Sequence, residues 1–193
     1  MEPRSSNIAK SESMNGRKWY VTISQRKTQS KRPVPFQASV MRVEPNWIDY
    51  NGHLNMAYYN VVFDRAVDEL WEALGIGPEY RSSKQCSLFS AECHVRYLRE
   101  ITPGASLQVS VLLVGADQKR LHSFRQLSHA SEGWLSATSE NMSLHVDMKT
   151  KKVSSFPPDI YARIQDLFEQ HSHIERPDGL GRQISMQSLG GTR

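Results

Sequence analysis

The sequence predicts an α+β fold, a strongly curved antiparallel sheet wrapped round one long helix, and three observations carry the prediction. From Asn55 to Leu74 there is neither Pro nor Gly, and Tyr59, Val62, Phe63, Ala66, Val67, Leu70, Trp71 and Leu74 recur at three- and four-residue steps. That apolar stripe is broad enough to require other structure around most of the helix. Strand-like runs flank it, one before and four after, joined by short turns.

The first run alternates from Gln37 to Glu44, with Ala38, Val40 and Arg42 on one side and Ser39, Met41 and Val43 on the other. Gly75, Gly77 and Pro78 stop the helix. The next strand, within 87–98, places Glu92, His94 and Arg96 against Ala91, Cys93, Val95 and Tyr97, and Thr102-Pro103-Gly104 turns the chain. Leu107, Val109, Val111 and Leu113 mark another strand, followed by runs at 120–129 and 134–148. In the last, Met142, Leu144, Val146 and Met148 face one way, and Asn141, Ser143, His145 and Asp147 the other. Phe156-Pro157-Pro158 leads into a terminal helix from Asp159 to about Gln170.

The 193 residues suit one domain with tails, and 38% hydrophobic content suffices for a packed core. Residues 1–35 read as a basic, disordered extension, 36–176 as the folded domain and 177–193 as a flexible tail. Most of the net charge of +4 sits in the extension, so the domain itself gives no reason to expect nucleic acid. The extension also fits a mitochondrial presequence. No run approaches the roughly 18 apolar residues of a membrane span. Cys86 and Cys93 are the only cysteines, and alternation along a strand turns them to opposite faces. A reducing, cytoplasmic setting is expected, without membrane association.

Asp49-Tyr50-Asn51-Gly52-His53-Leu54-Asn55, between the first strand and the helix, resembles the D-x-x-G-H-x-N signature of 4-hydroxybenzoyl-CoA-thioesterase-like hotdog proteins. Three further phrases follow in that family's order: Glu92-x-His94-x-Arg96-Tyr97-Leu98-Arg99-Glu100, Asp117-x-Lys119-Arg120-Leu121-His122 and Met142-x-Leu144-His145-Val146-Asp147. The resemblance covers about residues 36–176. Within the family it looks most like the thioesterases of carnitine and betaine metabolism, which cleave betainyl-CoA. Those relatives often carry an acidic residue where this chain has Met56. The resemblance implies a hotdog fold, hydrolysis of a small acyl-CoA without a cofactor, and a homodimer or homotetramer with sites between subunits. A non-catalytic acyl-CoA-binding hotdog protein is the alternative.

Thioester hydrolysis needs an oxygen nucleophile and stabilisation of the carbonyl oxygen; the thiolate leaves readily. The helix N-terminus near Gly52 to Asn55 is the candidate oxyanion hole. Asp49 matches the family's catalytic aspartate, as nucleophile or as base for a water. Asn51 or Asn55 is suited to orient water or carbonyl, and His53 to donate to the acyl oxygen or to hold the loop. The same segment also reads as a plain turn, with Asn51-Gly52 bending the chain and Asn55 capping the helix.

Glu92 and His94 share a strand face, either as a second catalytic pair or as an ordinary inter-strand ion pair. Arg96, Arg99, Lys119 and Arg120 are candidates for the CoA phosphates, the last two doubling as a solvated hairpin. Trp47, Tyr50, Tyr58, Tyr59 and Phe89 are candidates for a cage round a trimethylammonium group, or for core. No CxxC, HExxH, Gly-rich phosphate loop or GxSxG is present, and His53, His94, His122 and His145 lie on different elements, so no metal is expected.

Overall fold

The computed structural model describes residues 33–186; the basic segment before Pro33 and the end of the tail lie outside them. In chain order the elements are β1 (Phe36–Gln37), β2 (Met41–Arg42), a 3-10 turn (Pro45–Trp47), α1 (Met56–Leu74), α2 (Pro78–Lys84), β3 (Cys86–Tyr97), β4 (Ser106–Ala116), β5 (Arg120–His129), β6 (Leu135–Asp147), β7 (Lys152–Val153) and α3 (Pro158–Ser172). All strand pairs are antiparallel, in the order β1-β4-β5-β6-β3, with β2 also on β4 and β7 on β6.

Helix α1 packs against this sheet as its periodicity predicts. All eight residues of the expected stripe are buried, alongside Leu107, Val109, Val111, Leu121, Leu127 and Ala137 of the sheet. The Asn55 side chain caps its start and Gly75, at φ 76°, ends it in the left-handed region. No helix among the described residues is long and apolar enough to cross a membrane.

Four local expectations are corrected. The first strand is broken into β1 and β2, because both the N–H and the hydroxyl of Ser39 turn aside to Glu69 Oε2, at 2.9 and 3.0 Å. Consequently Ala38 and Val43 are buried while Val40 is exposed. Pro78 does not merely follow a stop; it occupies the first turn of α2, where its missing N–H costs nothing. The terminal helix starts at Pro158 for the same reason and runs to Ser172.

On β6 the alternation holds, but the face turned to the core is the polar one, with Asn141, Ser143 and His145 all buried. On β3 a bulge at Ala91 separates Ser90, opposite Ser143, from Glu92, opposite Met142. Beyond it Cys93, Val95 and Tyr97 face α1, whereas Glu92, His94 and Arg96 lie on the outer face. Residues of the C-terminal segment rest on that outer face: Gly181 N–H donates to Glu140 Oε2 at 2.7 Å, and Gly179 lies against Arg96.

Candidate active site

The loop between the 3-10 turn and α1 is tied at both ends. Ile48 and Leu54 form a β-bridge, and Asp49 N–H donates to His53 O at 2.9 Å. Inside it, Asp49 Oδ1 accepts from Asn51 N–H at 2.8 Å and, at 3.5 Å, from His53 N–H. This is the local turn an aspartate makes with the backbone two residues on. Gly52 turns the chain at φ 81°, and nothing lies within 4 Å of where its Cβ would stand. The carboxylate is therefore oriented by its own loop, and Oδ2 has no partner among the described residues.

Of the N–H groups at the start of α1, most are already engaged. Gly52 N–H donates to Asp49 O, Leu54 N–H to Ile101 O and Asn55 N–H to Trp47 O, at 3.0, 2.8 and 2.9 Å. Ala57 N–H is taken by the Asn55 side chain at 2.9 Å. Between them, the N–H of Met56 has no acceptor among the described residues. It stands at the first turn of α1, where unpaired amides and the helix dipole favour developing negative charge. Asn55 thus acts as the cap, leaving its neighbour's amide open.

A cavity of about 310 Å³ opens here. The loop contributes Asp49, His53 and Leu54, the helix Met56 and Tyr59, and the segment after β3 contributes Leu98, Arg99 and Glu100 beside Tyr97. Tyr59 and Tyr97 meet edge to face, 5.0 Å between centroids, and the Tyr97 hydroxyl donates to Met56 O at 3.3 Å. Burial raises the pKa of both phenols, so they stay protonated donors at neutral pH. His53 Nε2 lies 3.7 Å from the exposed Glu100 carboxylate across the mouth.

The thioesterase-like superfamily matches residues 43–164, which span the loop, α1 and the strands from β3 to β7. The chain belongs to that superfamily. It is 39% identical over 144 residues to the betainyl-CoA thioesterase of Pseudomonas aeruginosa, covering 75% of this chain and 91% of that one. The L-carnitine dehydrogenase/betainyl-CoA thioesterase of Rhizobium meliloti is 32% identical over 153 residues, 79% of this chain and 31% of that longer one. Among solved structures, a hypothetical protein of Staphylococcus aureus in complex with CoA superposes with a TM-score of 0.76 at 27% identity, over 82% of this chain and 99% of that one. The fold is the hotdog fold, and the protein is an acyl-CoA thioesterase with an acyl-CoA substrate.

Of the other residues singled out from the sequence, the thioesterase brings only some to this cavity. Glu92 and His94 sit on the sheet face turned away from α1, so they do not join Asp49. Phe89, opposite Leu144, is on that outer face too. Of the five aromatics proposed for a cage, only Tyr59 lines the cavity. Trp47 is buried, stacked on Tyr58 at 5.5 Å with the Arg65 guanidinium 5.1 Å from its ring centre, and belongs to the core. Tyr50 is 98% exposed. Alternation and proximity in sequence could not distinguish these environments.

Among the basic candidates, Arg99 lines the cavity, its guanidinium 3.9 Å from the Trp134 ring centre. Arg96 lies under Gly179 on the outer face. Arg120 is held by Asp117, Nη2 to Oδ2 at 2.6 Å, and that hydrogen bond keeps the carboxyl below its usual range. Lys119 stands beside it in the hairpin turn, its N–H donating to Asp117 Oδ1. Tyr97, Leu98 and Glu100 were not anticipated as site residues. Tyr97 had a signal: past the bulge it keeps the parity of Cys93, which faces the helix.

Proposed function

We propose that this thioesterase hydrolyses betainyl-CoA to betaine and CoA, with Asp49 as general base and the Met56 N–H receiving the carbonyl oxygen. The observation that carries the mechanism is the pairing of an oriented carboxylate with one open helix-terminal amide on a single cavity. Water bound at Asp49 Oδ2 attacks the carbonyl carbon as its proton passes to the carboxylate. The C–O bond forms, negative charge gathers on the oxygen at Met56, and collapse breaks the C–S bond. The CoA thiolate leaves and takes up the proton. Asn51 and Gly52 keep the loop in shape, and His53, tethered to Glu100, borders the mouth.

The 39% identity to the betainyl-CoA thioesterase, over an aligned region covering 91% of that protein, supports the substrate. No cofactor is required by this chemistry. Arg99, beside the mouth, is the cation best placed for a CoA phosphate. We place a second copy along β3, the edge strand of the sheet, where Phe89, Tyr97 and Leu98 are 47, 45 and 46% exposed.

The test is free-thiol release from betainyl-CoA, acetyl-CoA and aromatic acyl-CoAs, with mass measured by light scattering. Highest kcat/KM on betainyl-CoA in an oligomer is expected. CoA binding without turnover of any thioester would convert the protein to a binding module.

A further inference from the structure

We infer that Trp134 is a positioning residue for the CoA part of the substrate: its indole holds the Arg99 guanidinium at the cavity, ready for a phosphate. The inference rests on the reading of Arg99 given above and adds the residue through which that arginine is oriented.

The hairpin between β5 and β6 carries the platform. His129 N–H donates to Trp134 O and Gly133 N–H to His129 O, at 3.0 and 2.8 Å, which closes the turn. The indole is fixed within it at an edge and on a face. Its Nε1 donates to Glu132 Oε2 at 2.9 Å, and the His129 imidazole stacks on the ring with 5.1 Å between centroids and 22° between planes. The central carbon of the Arg99 guanidinium stands over the same ring, 3.9 Å from its centre.

Two residues along β6, Ser136 holds the main chain of the arginine. Its carbonyl accepts from the N–H of both Leu98 and Arg99, at 2.8 and 3.0 Å, and its hydroxyl donates to Arg99 O at 2.6 Å. Ser136 is fully buried, so water does not compete for these bonds. One segment of chain therefore grips Arg99 at its backbone and at its side chain.

Stacking engages the flat face of a guanidinium, whereas its N–H groups lie in the plane and stay available. Those of Arg99 have no acceptor among the described residues. Arg99 is also the only lysine or arginine among the described residues that line the cavity. A trimethylammonium group gains nothing from it, because the charges are alike, but a phosphate takes such donors in charge-assisted bonds. The neighbouring carboxylate of Glu100 approaches His53 Nε2, at 3.7 Å. An unstacked arginine would give up its rotamer freedom on meeting the phosphate; on Trp134 it has already done so.

The experiment measures thiol release by the full chain from betainyl-CoA, betainyl-dephospho-CoA, which lacks the ribose phosphate, and betainyl-pantetheine, which lacks every phosphate. In Trp134→Leu the ratio of kcat/KM for betainyl-CoA to that for betainyl-pantetheine should fall about three- to fivefold, the scale of a cation–π contact, with the loss in KM and not in kcat. A purely structural role would lower both thioesters alike and leave the ratio as it was. Trp134→Phe, which keeps a ring beneath the guanidinium, should retain most of the ratio. Arg99→Met should lower it about tenfold or more, and Trp134→Leu added to Arg99→Met should lower it no further. A Trp134→Leu loss that persists on dephospho-CoA assigns the pyrophosphate and one that vanishes assigns the ribose phosphate; either supports the inference. An unchanged ratio in Trp134→Leu, or additive losses in the double variant, overturns it. Trp134→Met is measured in the same way if circular dichroism shows Trp134→Leu unfolded. If no form hydrolyses any thioester, the hydrolase reading fails instead, and calorimetric affinities for CoA and pantetheine decide the platform by themselves: a CoA preference that falls in Trp134→Leu supports it, and an equal preference overturns it.

Discussion

The Tyr80 hydroxyl lies 2.8 Å from Nε2 of His145, pinning the short helix α2 to the core face of β6. His145 Nδ1 is 2.9 Å from Ser154 O, which can only accept, so Nδ1 carries the proton and Nε2 accepts from Tyr80. Tyr80 is pushed up to about 12 by burial and remains a donor throughout the working pH range. Tyr80→Phe leaves a buried ring nitrogen without its donor, a cost of about 1–3 kcal/mol. Urea denaturation should show that loss with an unchanged m-value. An unaltered midpoint would mean that water replaces the phenol.

Two buried histidines predict the acid limit of the fold. Burial lowers the pKa of both His145 and His171, and His171 Nδ1 accepts the Leu113 N–H at 2.9 Å, a bond that protonation breaks. Each is neutral in the fold but takes up a proton more readily when unfolded. Their stabilisation is therefore complete above the unfolded value near 6.5 and is lost as pH falls through the depressed folded values. Tm should decline from pH 7.5 towards pH 5. The decline should be shallower in His171→Asn. A flat profile would show that neither histidine titrates with unfolding.

Asp49→Asn separates the two jobs of the aspartate. The amide oxygen can still accept from Asn51 N–H, so the unfolding free energy should stay within about 0.5 kcal/mol of wild type, as for a surface substitution that keeps its hydrogen bond. Proton abstraction is lost, and kcat should fall by about 10²–10⁴-fold. Full activity in this variant would move the reaction away from the loop.

The central helix could be read from residue types alone because its burial follows one period: the eight stripe residues named from spacing are the eight buried in it. Strand faces were legible only as far as alternation survives. The bulge at Ala91 leaves Glu92, His94 and Arg96 together but puts them on the side away from Asp49, and no local pattern announced which side that would be. β6 shows the complementary failure. Its polar side faces inward since Asn141 and Ser139 bond to one another and His145 to Tyr80, partners distant in sequence or hidden by ordinary residue types. Nor could spacing foretell that Trp47 would be consumed by stacking on Tyr58. The loop carrying Asp49 was visible because its chemistry is local, whereas the cavity wall from Tyr97 to Glu100 depends on how strand and helix meet.

The last prediction concerns which feature of the loop holds the open amide in place. Asn55 spends its side chain on Ala57 N–H, and Gly52 holds a left-handed conformation in open space. Asn55→Ala should cost about 1 kcal/mol as a lost cap. It also frees a second amide beside that of Met56, so the carbonyl oxygen has two places to settle. KM should then change little while kcat falls, because the favoured position is no longer the one facing Asp49. Asn55→Asp restores the cap and should recover most of Tm. Its added charge beside the developing oxyanion should keep kcat low. Gly52→Ala meets no neighbour, so its effect is conformational, about 1–2 kcal/mol of left-handed strain. If relief of that strain shifts the loop, activity falls further than stability. Parallel thermal melts and kcat/KM values for the three variants decide the matter: activity that merely tracks Tm would make the loop a scaffold, whereas Asn55→Asp, stable yet slow, would mark the helix terminus as the seat of the oxyanion.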